Sequence, residues 1–106
     1  MSIVLKLMPD YECHPLWEMR EDDASRNLSP YDLELSSELT IALRAWANRF
    51  DQTLNQEYPP DSGFATPTDE DAFEREGLRL RDELKRELGS KYKVVYYSVK
   101  DERLVE

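Results

Sequence analysis

Two segments of the chain carry apolar side chains at the same helical spacing, and this repeated pattern limits the possible folds more than any other feature. The first segment, residues 36–54, places its stripe at Leu39, Leu43, Trp46, Phe50 and Leu54. The second segment, residues 66–88, places its stripe at Phe73, Gly77, Leu80, Leu84 and Leu88. Steps of three and four residues gather side chains on one face of a helix. Two helices with such faces need a common apolar surface to cover, and a small sheet supplies one.

Capping residues indicate where both helices begin and end. Ser36 or Ser37 can cap the first helix, and Thr66 or Thr68 can cap the second, because their hydroxyl oxygens accept hydrogen bonds from free amides of the first turn. Gly89 is expected to end the second helix, since glycine readily adopts the backbone conformation that follows a helix.

One glycine lies on the apolar stripe of the second helix. Glycine inside a helix costs about 1 kcal/mol relative to alanine, so a packing reason is expected. We predict that Gly77 lets another backbone or the ring of Trp46 approach closely. Phe64 lies in the connector 55–66, and we expect this aromatic residue to fold back onto the core.

Strand patterns lie on both sides of the helices. Residues 2–8 alternate in polarity and residues 92–99 are rich in Val and Tyr, which favour strands. Residues 104–105 are expected to form a short returning strand. This order predicts an α+β fold in a single domain, 1–106, with a small three- or four-stranded sheet and both amphipathic helices packed on one face.

Residues 9–35 have no sustained period and contain three prolines. A loop of this length is unusual in a small domain unless it is functional or hides a short element. We expect a short strand or bend at residues 13–18. Residues 20–27 are polar enough to form a surface loop.

Charge excludes several classes of function. Lys and Arg total 14 against 23 Asp and Glu, which gives a net charge of −9. Direct binding to nucleic acid or to an anionic membrane surface is disfavoured, because both need a basic face. No apolar run approaches the roughly 20 residues of a membrane span. A basic protein partner is favoured, since long-range attraction speeds encounter.

The only cysteine and the only histidine are adjacent, at Cys13 and His14. A zinc site needs three or four ligands at suitable spacing, and a Cys–His nucleophile needs the two side chains in hydrogen-bond reach. Neighbouring residues rarely meet either condition, so we expect no metal, no cofactor and no enzymatic activity. A single cysteine also fits a reducing cytoplasm.

Aromatic residues lie among carboxylates in two acidic blocks, 9–38 and 51–76, each with a net charge of −7. Tyr and Trp anchor many interfaces, although Tyr11 and Trp17 can instead pin the long loop to the core. An ordinary surface role for Tyr31 and its acidic neighbours also remains open. The candidate partner-binding residues are Tyr11, Glu12, Glu18, Glu21, Asp22, Asp23, Tyr31, Asp32, Glu34, Tyr58 and Asp61.

The stretches LKLMPDYECHPLW and PPDSGF, together with WANRFD and AFEREG, resemble small acidic bacterial proteins that confer immunity to toxins of contact-dependent growth inhibition. The resemblance covers most of the chain. It implies a cytoplasmic protein that binds one cognate toxin domain, usually a nuclease, and blocks its active site or substrate surface without catalytic residues. Two alternatives remain: an acidic regulatory or scaffold protein with another basic protein partner, and a small enzyme that uses Cys13 and His14.

Overall fold

A mixed sheet with two helices on one face forms the fold in the computed structural model, which describes residues 3–19, 25–55, 57–58 and 62–105. The strands in this part of the chain are β1 (Ile3–Leu7), β2 (Leu16–Met19), β3 (Ser25–Leu28), β4 (Tyr92–Ser98) and β5 (Arg103–Val105). The helices are α1 (Ser37–Asp51) and α2 (Pro67–Leu88), with short 3-10 turns at Pro30–Leu33 and Gly89–Lys91.

The sheet has the order β3-β2-β1-β4-β5. Its central pair, β1 and β4, is parallel, and the other neighbouring pairs are antiparallel. The α+β prediction is confirmed, but the predicted three or four strands become five. The difference comes from the long loop, because β2 and β3 both lie within residues 9–35. Strand β3 begins at Ser25, so the expectation of a polar loop over residues 20–27 is wrong for its last three residues; residues 20–24 lie outside the described residues.

Strand register separates the two faces of the sheet. Leu5 pairs with Val94, and Leu7 pairs with Tyr96 and Leu16, so these side chains share one face. They belong to the same buried core as the stripes of both helices. Residues one step away in sequence point to the opposite face. We call this opposite face the outer sheet face; its strand residues are Val4, Lys6, Trp17, Met19, Ser25, Asn27, Lys93, Val95, Tyr97 and Leu104.

Aromatic rings fill the space between the helices and the sheet. Trp46 on α1 stacks on Phe73 of α2 with ring centroids 4.4 Å apart. The Trp46 indole Nε1 donates a hydrogen bond to the Phe73 carbonyl at 3.0 Å. Phe64 also packs against Phe73, with the two ring centroids 5.0 Å apart. The prediction that Phe64 folds back onto the core is confirmed.

Gly77 sets the distance between α2 and the sheet. A Cβ atom at this position would lie 2.6 Å from Cε1 of Tyr96, far inside van der Waals contact. The close approach predicted at Gly77 is present, but its partner is the ring of Tyr96 on β4 rather than a backbone or Trp46. The sequence stripe could not reveal this, because Tyr96 is brought to α2 by the sheet.

The helix ends follow the capping pattern. Ser36 and Thr66 are the caps, and their hydroxyl oxygens accept hydrogen bonds from the amides of Leu39 and Asp69 at 3.1 Å. Gly89 follows α2 with a φ of 60°, in the left-handed region that favours glycine. Helix α1 ends at Asp51 rather than extending to residue 54.

Candidate functional site

An open cleft lies between the exposed side of α1 and the loop that joins β1 to β2. Its volume is about 520 Å³. We call it the α1 cleft, and its lining residues are Cys13, His14, Pro15, Ile41, Arg44, Ala45, Ala47, Asn48 and Asp51. The adjacent cysteine and histidine therefore lie in one wall, and one face of a helix forms the other.

Contacts with the end of α1 hold the β1–β2 loop in place. The Tyr11 ring stacks on Phe50 with centroids 4.6 Å apart, and its hydroxyl lies 3.0 Å from Oγ1 of Thr53. The backbone amide of Glu12 donates a hydrogen bond to Oδ1 of Asp51 at 3.0 Å. Because Phe50 also contacts Phe73, the loop is joined to the central aromatic cluster.

A tyrosine lies against the middle of α1. The 3-10 turn Pro30–Leu33 carries Tyr31, and Arg44 donates a hydrogen bond to the Tyr31 hydroxyl at 3.1 Å. Ser29 and Asp32 stabilise this turn by a reciprocal capping box. Tyr31 is 68% exposed and Ile41 is 66% exposed, so both present a large side chain to solvent while flanking Arg44.

The loop end of the cleft is electronegative. Partial burial raises the pKa of the Cys13 thiol, and the carboxylates of Asp10, Asp51 and Glu12 raise it further. The thiol is thereby kept protonated, and only the thiolate is an effective nucleophile or metal ligand. Within the described ranges, no group of three or more Cys, His, Asp or Glu side chains is arranged to hold a metal ion.

The structure brings some candidate residues together and separates others. Tyr11 and Glu12 lie at one end of the α1 cleft, and Tyr31 lies beyond Arg44 at the other, with exposed Asp32 and Glu34 beside it. Arg44 and Asp51 are seven positions apart, or about 10 Å along the helix axis. The group at Tyr11 and the group at Tyr31 are twenty residues apart in sequence.

The remaining candidates lie elsewhere. Glu18 is partly buried on β2, level with Leu5 and Arg26 on the helix-facing side of the sheet. Tyr58 is exposed in the connector after α1, where its amide donates a hydrogen bond to Asn55. Glu21, Asp22, Asp23 and Asp61 lie outside the described residues.

Sequence reasoning did not single out the helix side chains that line the cleft, among them Ile41, Arg44, Asn48 and Asp51. A signal was present for Ile41. It lies two positions from both Leu39 and Leu43, so it points away from the buried stripe and leaves a large apolar side chain in solvent. Arg44 and Asn48 gave no comparable signal, because polar residues are ordinary on an exposed helix face.

Trp17 departs from its expected environment. The sequence favours a Trp17 that pins the long loop to the core, and its indole Nε1 does donate to the Met8 carbonyl at 3.1 Å. Its ring, however, belongs to the outer sheet face and not to the core beneath the helices. Tyr11, in contrast, does join the loop to the core through Phe50.

Comparison with known proteins gives one family. Residues 3–99 match the family model described as Serratia CdiI immunity protein-like. No curated protein matches the chain significantly. In the described part of the chain, no helix is both long and apolar enough to cross a membrane. Because the match covers nearly all of the sequence, the chain belongs to the Serratia CdiI immunity protein-like family, the immunity proteins that act against toxins of contact-dependent growth inhibition.

Proposed function

We propose that this immunity protein neutralises a nuclease toxin by placing the α1 cleft over the toxin's basic substrate-binding surface. The observation that carries the proposal is the meeting of two parts of the first acidic block on one side of α1. Tyr11 and Glu12 reach Asp51 at one end, and Tyr31 reaches Arg44 further along the helix. The result is a concave surface with carboxylates at its rim.

Charge supports a nuclease as the partner. Nucleases bind phosphate with Lys and Arg, and the cleft is surrounded by acids: Asp10, Glu12 and Asp51 at the loop end, with Asp32 and Glu34 beside Tyr31. Opposite charges on two approaching surfaces raise the association rate. The same acids would occupy the place of the nucleic-acid phosphates, so binding and inhibition would be one event.

Apolar anchors support a long-lived complex. Tyr31 and Ile41 are mostly exposed in the free protein, and a few such side chains, buried in pockets of the partner, supply most of the binding free energy of many interfaces. The hydrogen bond from Arg44 fixes the tyrosine ring before binding, which reduces the entropy lost on association. Slow dissociation would follow from these contacts and fast association from the acids.

Inhibition of this kind needs no catalytic group. The raised pKa of the Cys13 thiol supports a role in contact rather than in chemistry. A free, partly exposed cysteine also fits the reducing cytoplasm, where a delivered nuclease would meet its substrate.

The direct test measures association with the cognate toxin domain for the double variant Asp32→Asn/Glu34→Lys. Asparagine is chosen because Oδ2 of Asp32 accepts the hydrogen bond from the Ser29 amide, and the amide oxygen of Asn preserves that cap. The variant removes two negative charges from the rim and adds one positive charge, so the net charge there rises by three. We expect the association rate to fall several-fold at low salt and less at high salt, where charges are screened.

The control is Asp69→Asn/Asp82→Lys, which changes the net charge equally at exposed positions of α2. It should slow association much less. Equal slowing by both variants would assign the effect to net charge and would contradict a role for this rim. Co-expression tests the function itself: cells that die equally fast with and without this protein would overturn the proposal.

A further inference from the structure

Residues 13–15, which line one wall of the α1 cleft, lie just beyond the end of two strand ladders. Leu16, the first residue of β2, pairs with Leu7 of β1 on one side and with Leu28 of β3 on the other. Leu7 and Leu28 are the last residues of their strands. The backbone of the wall therefore needs other partners for most of its hydrogen-bonding groups.

A proline ends the ladder between β2 and β3. The Met8 amide donates a hydrogen bond to the Pro15 carbonyl at 2.9 Å, so this carbonyl points towards β1. Backbone groups alternate in direction along a strand, so those of His14, one residue earlier, point towards β3. A continued register would place Pro30 opposite His14. Proline has no N–H group to donate to the His14 carbonyl, and Pro30 instead begins a 3-10 turn.

A side chain of β3 replaces the missing strand partner. Asn27 Oδ1 accepts a hydrogen bond from the His14 amide at 3.0 Å. Asn27 Nδ2 donates to the His14 carbonyl at 2.6 Å and to the Leu16 carbonyl at 3.1 Å. The oxygen and both amide hydrogens are thus used, and turning the amide over would place its oxygen against two carbonyl oxygens. One side chain therefore holds the backbone on both sides of Pro15.

Helix α1 holds the other end of the wall. The Glu12 amide donates a hydrogen bond to Asp51, and Glu12 has a φ of 60°, in the left-handed region that is unfavourable for a residue with a Cβ atom. Such a backbone conformation persists only where the surrounding structure imposes it. Cys13 therefore lies between two fixed points, one on α1 and one on β3, and we expect the loop to relax when either contact is removed.

We propose that Asn27 is a positioning residue for toxin binding, which fixes the backbone of residues 14–16 and so holds this wall of the α1 cleft in its binding conformation before the toxin arrives. This inference rests on the proposed function of the cleft. Asn27 belongs to β3 and does not line the cleft, so it acts through the His14 backbone. A surface fixed before binding loses less entropy on association, and a site that is competent only part of the time binds more weakly in proportion.

The first measurement needs no toxin. Asn27→Ala removes all three hydrogen bonds, and the His14 amide should then exchange its hydrogen with solvent at least about ten-fold faster. Cys13 is the single cysteine of the chain, and it should react several-fold faster with an uncharged maleimide, because a freed wall exposes its thiol. Asn27→Asp is the second variant. It keeps the size of the side chain but places a carboxylate oxygen against the two carbonyls, so it should also speed the maleimide reaction.

The second measurement is the affinity for the cognate toxin domain, and Asn27→Ala should raise its dissociation constant about ten-fold. The matched control is Asn55→Ala. Asn55 also holds a loop by its side chain, since its Oδ1 accepts hydrogen bonds from the amides of Glu57 and Tyr58, but it does not line the α1 cleft. The control should leave His14 exchange, the maleimide rate and toxin affinity within about two-fold of wild type.

The outcomes separate this inference from the proposed function. Unchanged His14 exchange and an unchanged maleimide rate in Asn27→Ala would overturn the inference and leave the proposed function standing. Faster exchange with unchanged toxin affinity would also overturn it if Ile41→Glu, at the opposite wall, still weakens the complex. Equal weakening by Asn27→Ala and Asn55→Ala would assign the loss to general destabilisation and would overturn it too. Unchanged toxin binding in both Ile41→Glu and Asn27→Ala would overturn the proposed function and this inference together.

Discussion

The α1 cleft and the outer sheet face both present aromatic and aliphatic side chains to solvent, but the charged residues that the structure describes around them differ. Tyr31 and Ile41 lie among carboxylates on the helix side, whereas Tyr97 and Leu104 share their sheet face with two lysines. Exposed apolar side chains alone therefore do not distinguish the two regions. The carboxylates around Tyr31 and Ile41 suit the basic partner proposed for the α1 cleft.

The largest expected difference lies in how each side contributes to folding. Trp46→Ala should lower the free energy of unfolding by about 3–5 kcal/mol, because it opens a cavity in the core. Trp17→Ala should lower it by only about 1–2 kcal/mol, since the Trp17 ring is partly exposed and mainly its hydrogen bond to Met8 and same-face contacts are lost. Urea unfolding at low protein concentration measures both. Equal losses would mean that the outer sheet face is as tightly packed as the helix side.

A larger side chain at Gly77 tests how tightly α2 packs against Tyr96 of β4. Gly77→Ala should lower the free energy of unfolding by about 1–2 kcal/mol, because the clash with the buried Tyr96 ring exceeds the gain of about 1 kcal/mol in helix propensity. Ala45→Gly on the exposed side of α1 measures the propensity difference without a clash. A more stable Gly77→Ala protein would show that Tyr96 moves at little cost.

Two exposed residues should separate the two surfaces by their effect on toxin binding. Ile41→Glu should weaken toxin binding about ten-fold or more, because it places a charge among the proposed apolar anchors. Leu104→Glu introduces the same charge at a similarly exposed apolar position of β5 and should leave toxin affinity unchanged, when both are measured by titration. Equal weakening by both variants would contradict a toxin contact confined to the α1 cleft.

The smallest expected effect is a loss of folding stability at alkaline pH, caused by Tyr96 on the helix-facing side of the sheet. Burial, together with the nearby Glu74 carboxylate, raises the pKa of Tyr96 in the folded state. The unfolded chain therefore loses this proton first, so folded-state stability is complete below about pH 10 and falls above it. At pH 10.5 the loss relative to Tyr96→Phe should be about 0.8 kcal/mol.

The effect is measured by urea unfolding of wild type and Tyr96→Phe at a series of alkaline pH values. Parallel stability curves for wild type and Tyr96→Phe between pH 9 and 10.5 would contradict the assigned cause.

Apolar spacing and capping residues predicted the helices, because both patterns lie within a single segment of the sequence. The stripe from Leu39 to Phe50, the caps Ser36 and Thr66, and the stop at Gly89 all depend on residues within a few positions of one another. The strong β4 pattern was found for the same reason. Strands β2 and β3 were not fully recognised, because four residues give too little periodicity and their pairing depends on β1.

The sequence by itself determined the fold class, the helix faces and the acidic character of this protein, since each follows from composition or short-range spacing. Only the tertiary structure decided that Tyr96 lies against Gly77, that Tyr11 and Tyr31 approach the same helix, and that Trp17 lies on the far side of the sheet. These contacts join residues distant in the chain. Strand order and register fix them, and no local pattern encodes either.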